Sequence, residues 1–322
     1  MEKIRVAVVG TGYLGRQHVR VLSEQPNVEL VGIVDKNPTT AQKVAKEFST
    51  IAYPNHEVLL GKVSAVILAV PTQNHAAIGC DFLNHGTDLL VEKPIASSLP
   101  EAERLIQTAC QHSRILQVGH LERFNPAVIE TRKILTAPLF FEVHRLGVFS
   151  PRSLDVDVVL DLMIHDLDLV LEFSKSSVKQ LHAVGLPILS DKVDIANARI
   201  EFLSGCVANL TASRVSTEKV RKLRFFQPNQ YVSLDFSRQD VVILSVEKKG
   251  NAVQPGIIPH KIETPRLEPL KLEIQSFLKC VQTRKQPEVN PESSKAALEL
   301  ALQVVSKIQE HNQSVVIPLK NV

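Results

Sequence analysis

Five short runs of aliphatic and β-branched residues, spaced by helical stretches, fill the first 120 positions: Ile4–Gly10, Val28–Asp35, Ala65–Val70, Asp88–Glu92 and Ile115–Gly119. The runs are continuous rather than alternating, as in strands buried on both faces of a parallel sheet. Helices between parallel strands require right-handed crossovers, and the result is a doubly wound α/β sheet. Residues 1–120 are therefore expected to form a Rossmann-type domain.

The texture then changes. Asn125-Pro126 reads as an N-cap with proline at the first helical position, opening a helix to about Leu135. A strand over Leu139–Phe149 follows, then a long apolar helix around 156–173. Six further strands, from Leu181 to Glu247, are separated by turn residues, and Leu203-Ser204-Gly205-Cys206 reads as a hairpin turn. Strands joined by short turns imply an antiparallel meander. Two helices, roughly 269–284 and 292–311, close the chain. The expected second domain, 121–322, is α+β: one large, open, mostly antiparallel sheet with helices on one side.

With 322 residues, 44% of them hydrophobic and 22% charged, the chain can bury two cores. A net charge of +3, spread rather than clustered, and an aromatic content of 5% without tryptophan argue against a nucleic-acid surface. No apolar stretch approaches the roughly 20 residues of a membrane span, and the cytoplasm is the expected compartment. Cys80, Cys110, Cys206 and Cys280 lie far apart, read as small buried residues, and hold no expected metal.

Gly10-Thr11-Gly12-Tyr13-Leu14-Gly15 follows the first strand and opens a helix. The glycines serve a tight turn, close approach to a pyrophosphate and close packing of helix on strand. The helix N-terminus offers free N–H groups and a positive dipole end to phosphate. Asp35 closes the second strand 20 residues after Gly15, where an acid holds the adenosine ribose hydroxyls. Its charge repels a 2′-phosphate, so NAD is expected over NADP, with the neighbouring Lys36 softening the preference.

Ligands of such a sheet sit beyond the carboxyl ends of its strands. Val70-Pro71-Thr72-Gln73-Asn74-His75 leaves one strand there, and Glu92-Lys93-Pro94 the next. Lys93 is expected to enter the crevice, with Pro94 forcing its predecessor to be extended; a solvated loop lysine is the plain alternative. In the apolar helix, positions 157, 161, 165, 168 and 172 fall on one face at 3.6 residues per turn, and Asp166 alone breaks the apolar remainder. Carboxylates beside an imidazole favour its charged form and make His165 an acid–base candidate; a thin wet face is the bland alternative. His165 has no second histidine on its stripe, which argues against zinc.

At Gly-Thr-Gly-Tyr-Leu-Gly, Glu92-Lys93-Pro94 and Asp161-x-x-x-His165-x-x-Asp168, the sequence resembles the glucose–fructose oxidoreductase / inositol dehydrogenase / MocA family, over essentially the whole chain. The resemblance implies catalysis by Lys93, Asp161 and His165, which in the family flank the reacting hydroxyl, with a Lys-Pro peptide that is often cis. It implies that Asp35, Thr72, Asn74, His75 and Glu92 lie near the cofactor. His165 as base with Lys93 stabilising the developing negative charge is the first reading; Lys93 as base is the second. The segments Gly119–Pro126 and Asp155–Asp166 resemble dehydrogenases that oxidise the 3-hydroxyl of UDP-N-acetylglucosamine to a ketone, which an aminotransferase then aminates on the route to lipid A. A pyrophosphate needs cations, and Arg123, Arg152 and Arg214 are the candidates. Alternatives are an inositol or simple-sugar dehydrogenase and a non-catalytic dinucleotide sensor. A homodimer or homotetramer through the second sheet is also expected.

Overall fold

The computed structural model describes residues 3–149, 156–247 and 256–314. In chain order these form β1 (Ile4–Val9), α1 (Tyr13–Ser23), β2 (Val28–Val34), α2 (Pro38–Glu47), β3 (Ala52–Tyr53), β4 (Ala65–Leu68), α3 (His75–Asn84), β5 (Asp88–Glu92), α4 (Leu99–Gln111) and β6 (Leu116–Gly119). Then come α5 (Pro126–Ile134), β7 (Phe140–Val148), α6 (Ile164–Ser174), β8 (Val178–Leu186), β9 (Ile195–Phe202), β10 (Val207–Ser216) and β11 (Val220–Gln227). The last are β12 (Gln230–Asp235), β13 (Asp240–Glu247), β14 (Gly256–Ile262), α7 (Pro269–Thr283) and α8 (Pro291–Ser314). Contacts divide the chain into two compact units, Met1–Phe124 with Glu268–Leu298, and Asn125–Leu267 with Glu299–Val322.

The first unit holds a six-stranded sheet in the order β3-β2-β1-β4-β5-β6, with every pair parallel. Every residue of β4, β5 and β6 is buried, which accounts for their continuous apolar runs. Side-chain caps start the helices: Asn37 accepts the Thr39 and Thr40 N–H groups, and Ser98 accepts that of Glu101. β1 lies between β2 and β4, so chain direction across the sheet reverses there, and the crevice opens beyond the ends of β1 and β4.

Sequence order places both tail helices with the second domain. Instead, residues 268–298 return to the first unit. Leu270, Ile274, Phe277 and Leu278 of α7 join Ile4, Val8, Val19, Leu22 and Ile67 in one apolar cluster. Arg284 pins the end of α7 by binding the buried Asp88 carboxylate at 2.5 and 3.1 Å. Contiguity in sequence carried no sign of this return.

The second unit is built on an eight-stranded sheet, β14-β13-β12-β11-β7-β10-β9-β8. It is mostly antiparallel, but β7 pairs in parallel with β10 and separates two antiparallel runs, so it is not a single meander. The short β3 and the edge strand β14, with Pro259, His260 and Lys261 along it, escaped the sequence reading because neither has a strand-like apolar pattern. Two cysteines, Cys206 and Cys280, are buried as expected; Cys110 is exposed. Burial pushes the Cys206 thiol up to about 11, which leaves it inert at neutral pH.

Candidate active site

In the first unit, Gly10 follows β1 at φ 88°, and a Cβ there would overlap the Ala69 carbonyl oxygen. A Cβ on Gly15 would run into the Gly10 carbonyl, so α1 packs directly on the turn. Gly12 caps α1 with open space around it and no side-chain cap, leaving the first N–H groups of the helix for an anion. Tyr13 is exposed, and Leu14 is half-buried.

Asp35 ends β2 and is already engaged. Its Oδ2 accepts the Thr11 N–H at 2.7 Å and the Thr11 hydroxyl at 3.0 Å, and its Oδ1 accepts the Asn37 N–H at 2.9 Å. Thr11 therefore serves by holding the acid in place. A cleft of about 470 Å³ is lined by Gly10, Gly12, Asp35, Val70, Pro71 and Asn74, together with Lys36, Thr40, Pro54, Asn55, His56, Ala69 and Ile78. Open space at the turn, uncapped helical N–H groups and an acid at the strand end fit a dinucleotide's pyrophosphate and ribose. Pro54, Asn55 and His56 were missed, because a polar loop after a two-residue strand gives no periodic signal.

Thr72, His75, Glu92 and Lys93 do not line this cleft. His75 opens α3 with its ring buried, Nδ1 2.9 Å from the Pro94 carbonyl and Nε2 2.9 Å from the Val70 carbonyl. Burial holds its imidazole below the usual range, although both carbonyls favour the charged form. His75 thus braces the ends of β4 and β5 against each other. Lys93 leaves β5 half-buried, and its peptide bond to Pro94 is cis. Glu92 is buried, with Oε1 2.7 Å from Nε2 of His18 and Oε2 accepting the Lys93 backbone N–H at 3.2 Å.

In the second unit, the apolar helix does not begin as an α-helix. Residues Val159–Met163 form a π-helical turn that runs into α6. One extra residue per turn breaks the 3.6 period, so the five polar positions are not one wet stripe. Asp157 accepts the Val193 N–H at 3.0 Å, Glu172 pairs with Arg132 at 2.7 Å, and Asp168 is buried. Asp161 in the π-turn and His165 at the start of α6 remain half-buried. π-turns are frequent at functional sites. Asp166, the apparent misfit, makes a buried two-pronged pair with Arg145 at 2.8 and 2.8 Å.

Of the three cation candidates, Arg214 is committed elsewhere. It binds Asp194 at 2.7 Å, the Val156 carbonyl at 2.8 Å and the Ser190 hydroxyl at 3.0 Å, so it is withdrawn as a phosphate ligand. Arg123, in a 3-10 turn of the first unit, is buried. Arg152 lies outside the described residues.

Comparison with known proteins gives a concordant result. A family model described as oxidoreductase family, NAD-binding Rossmann fold, matches residues 4–120. UDP-N-acetylglucosamine 3-dehydrogenase of Acidithiobacillus ferrooxidans is 35% identical over 308 residues, 94% of this chain and 97% of that one. The chain belongs to the Gfo/Idh/MocA family. A solved structure of the same Acidithiobacillus enzyme matches with a TM-score of 0.90 at 34% identity, covering 96% of this chain and 99% of that chain. The scyllo-inositol 2-dehydrogenase (NAD(+)) of Bacillus subtilis is 27% identical, over 93% of this chain and 92% of that one. This Gfo/Idh/MocA protein is an oxidoreductase with a nicotinamide-dinucleotide Rossmann unit, and these relatives are named as dehydrogenases. Among its described residues, no helix is long and apolar enough to cross a membrane.

Proposed function

We propose that this oxidoreductase oxidises the 3-hydroxyl of UDP-N-acetylglucosamine, with NAD as the preferred cofactor. One observation carries the reading: likeness to a UDP-N-acetylglucosamine 3-dehydrogenase runs across 94% of the chain at 35% identity, and the stretch includes Lys93, Asp161 and His165. Gly10, Gly12 and Asp35 would hold the dinucleotide, whose nicotinamide ring supplies the hydride acceptor when bound. His165 takes the hydroxyl proton, Lys93 hydrogen-bonds the oxygen as its negative charge develops, and Asp161 orients the imidazole. Arg123 and Arg152 are proposed for the pyrophosphate. The Asp35 carboxylate favours ribose hydroxyls over a 2′-phosphate. The product is a ketone, the substrate class of an aminotransferase, and the cytoplasm is the proposed compartment.

The test is the rise in absorbance at 340 nm with UDP-N-acetylglucosamine, UDP-glucose, free N-acetylglucosamine and scyllo-inositol, each with NAD⁺ and NADP⁺. The expected result is turnover of UDP-N-acetylglucosamine with NAD⁺ at least tenfold above every other pair. Faster turnover of scyllo-inositol would replace this reading with that of an inositol dehydrogenase.

A self-assembling sheet is part of the proposal. Phe226 faces Tyr231, Tyr231 faces Leu244, and Val246 faces Ile257, so these side chains share one face of the second sheet. Phe226, Val246 and Ile257 are 42%, 43% and 67% exposed, an apolar row that a second copy would cover. Light scattering is expected to give two or four times the chain mass, and a monomer at micromolar concentration would exclude it.

A further inference from the structure

Beneath Lys93, the first unit buries three ionisable groups from elements far apart in sequence. His18 comes from α1, Glu92 from β5 and Glu273 from α7, and their polar atoms lie within 4.8 Å of one another. Among the described residues, this is the only group of three or more His, Cys, Asp or Glu side chains with metal-ligand spacing. Glu92 is the hub: one oxygen meets the His18 ring at 2.7 Å, and the other accepts the Lys93 backbone N–H at 3.2 Å.

Two features show that this carboxylate is deliberately housed. Gly119 on β6 leaves it room, because a Cβ there would stand 2.9 Å from the Glu92 Oε2. Glu273 is fully buried, and neither of its oxygens has a hydrogen-bond partner, on a helix otherwise anchored to the core. Burial first, and the negative charge of Glu92 second, push the Glu273 carboxyl well above the usual carboxylate range. Burial beside Glu92 therefore favours the neutral form of Glu273. The other groups nearby are His75 on α3, whose titration Glu92 influences, and the neutral Gln117 on β6, whose amide binds the Glu273 carbonyl at 3.3 Å. The spacing suits a hydrogen bond better than a metal. Two ligands on a zinc with bonds of roughly 2.0–2.2 Å stand about 3.3 Å apart, wider than the contact between His18 and Glu92.

We propose that Glu92 is a positioning residue for Lys93, held by His18 and backed by Glu273, so that α1, which carries the dinucleotide turn, also fixes where the lysine leaves β5. This rests on the reading of Lys93 as a catalytic group. A displacement of about 1 Å at such a group costs on the order of 10²-fold in rate.

The experiment measures two readouts in wild type, Glu92→Gln, Gly119→Ala, His18→Gln and the double variant His18→Gln/Glu92→Gln. One is kcat and the KM for NAD⁺ on the substrate that passes the assay above. The other, which needs no turnover, is the rate of Lys93 acetylation by acetic anhydride, read by peptide mass spectrometry. Glu92→Gln is expected to lower kcat by about 10–100-fold with KM for NAD⁺ within about threefold, and to change the acetylation rate by at least about threefold. Gly119→Ala displaces the carboxylate without removing it and moves both readouts in the same direction by less, which keeps the test open if Glu92→Gln fails to fold. The double variant loses no more than Glu92→Gln alone. Acetylation and kcat both within twofold of wild type, additive losses, or a stoichiometric metal whose removal abolishes activity would each overturn the proposal. If Lys93→Met keeps full turnover, the catalytic reading of the lysine falls by itself, while the acetylation readout still decides whether Glu92 positions it.

Discussion

Replacing His165 with alanine is expected to lower kcat by about 10²–10⁴-fold, the usual worth of a positioned general base, while the affinity for NADH stays within about twofold. The reason for the split is location. His165 sits at the start of α6 in the second unit, whereas the glycine turn, Asp35 and the cleft they line belong wholly to the first. Steady-state kinetics and a fluorescence titration with NADH measure the two sides separately. An equal loss of NADH binding would show that the imidazole shapes the cofactor unit and is not the base.

Asp194→Ala is expected to destabilise the second unit by about 3–5 kcal/mol, because it removes a buried carboxylate that pairs with the buried Arg214. The carboxylate also accepts backbone N–H groups from Ile188, Leu189 and Ser190 at 2.7, 2.6 and 3.0 Å. Burial alone would push the Asp194 carboxyl up; the Leu189 and Ile188 N–H groups, Arg214 and the Ser190 hydroxyl outweigh it and hold it far below the ordinary range. A lowered native pKa means stability that is whole above the unfolded value of about 3.9 and is lost as pH falls toward the native one. Denaturant midpoints at pH 7 and pH 3 therefore converge between wild type and variant as the solution is acidified. Arg214 also grips the Val156 carbonyl, just before the π-turn that carries Asp161, so kcat is expected to fall along with stability. A variant as stable as wild type at pH 7 would refute this account.

Sequence alone revealed those parts of the molecule whose physics is local. Continuous apolar runs disclosed five of the six parallel strands, and the glycine turn followed from backbone conformations that only glycine adopts easily. Asn125-Pro126 capped a helix where the reading placed one, with Asn125 accepting the Ala127 N–H at 3.1 Å. The π-turn was not legible, since one extra residue in a turn leaves no mark on composition, and reading through it at 3.6 residues per turn produced a false stripe. His18 and Glu273 were missed despite a usable signal. His18 falls with Gly15, Val19 and Leu22, and Glu273 with Leu270, Ile274 and Phe277, at the i, i+3, i+4, i+7 spacing of a buried face. A titratable residue on the apolar side of a helix marks a buried polar site. What no periodicity could supply was the meeting of α1, β5 and α7, because it depends on the late segment folding back.

That late return has a consequence for how the protein is made. The ribosome must deliver residues 125–267 before 268–298 can emerge, yet the N-terminal sheet needs Ile274 and Phe277 to close its core. At roughly 5–20 residues per second, the nascent sheet waits on the order of ten seconds with one apolar side bare. Of the intervening strands, β8 to β10 and β11 to β14 neighbour partners next to them in sequence and can meanwhile pair as they appear, whereas β7 waits for β10 and β11. Nascent chains of this protein therefore present their greatest demand for chaperones in the half synthesised first, not in the half synthesised last.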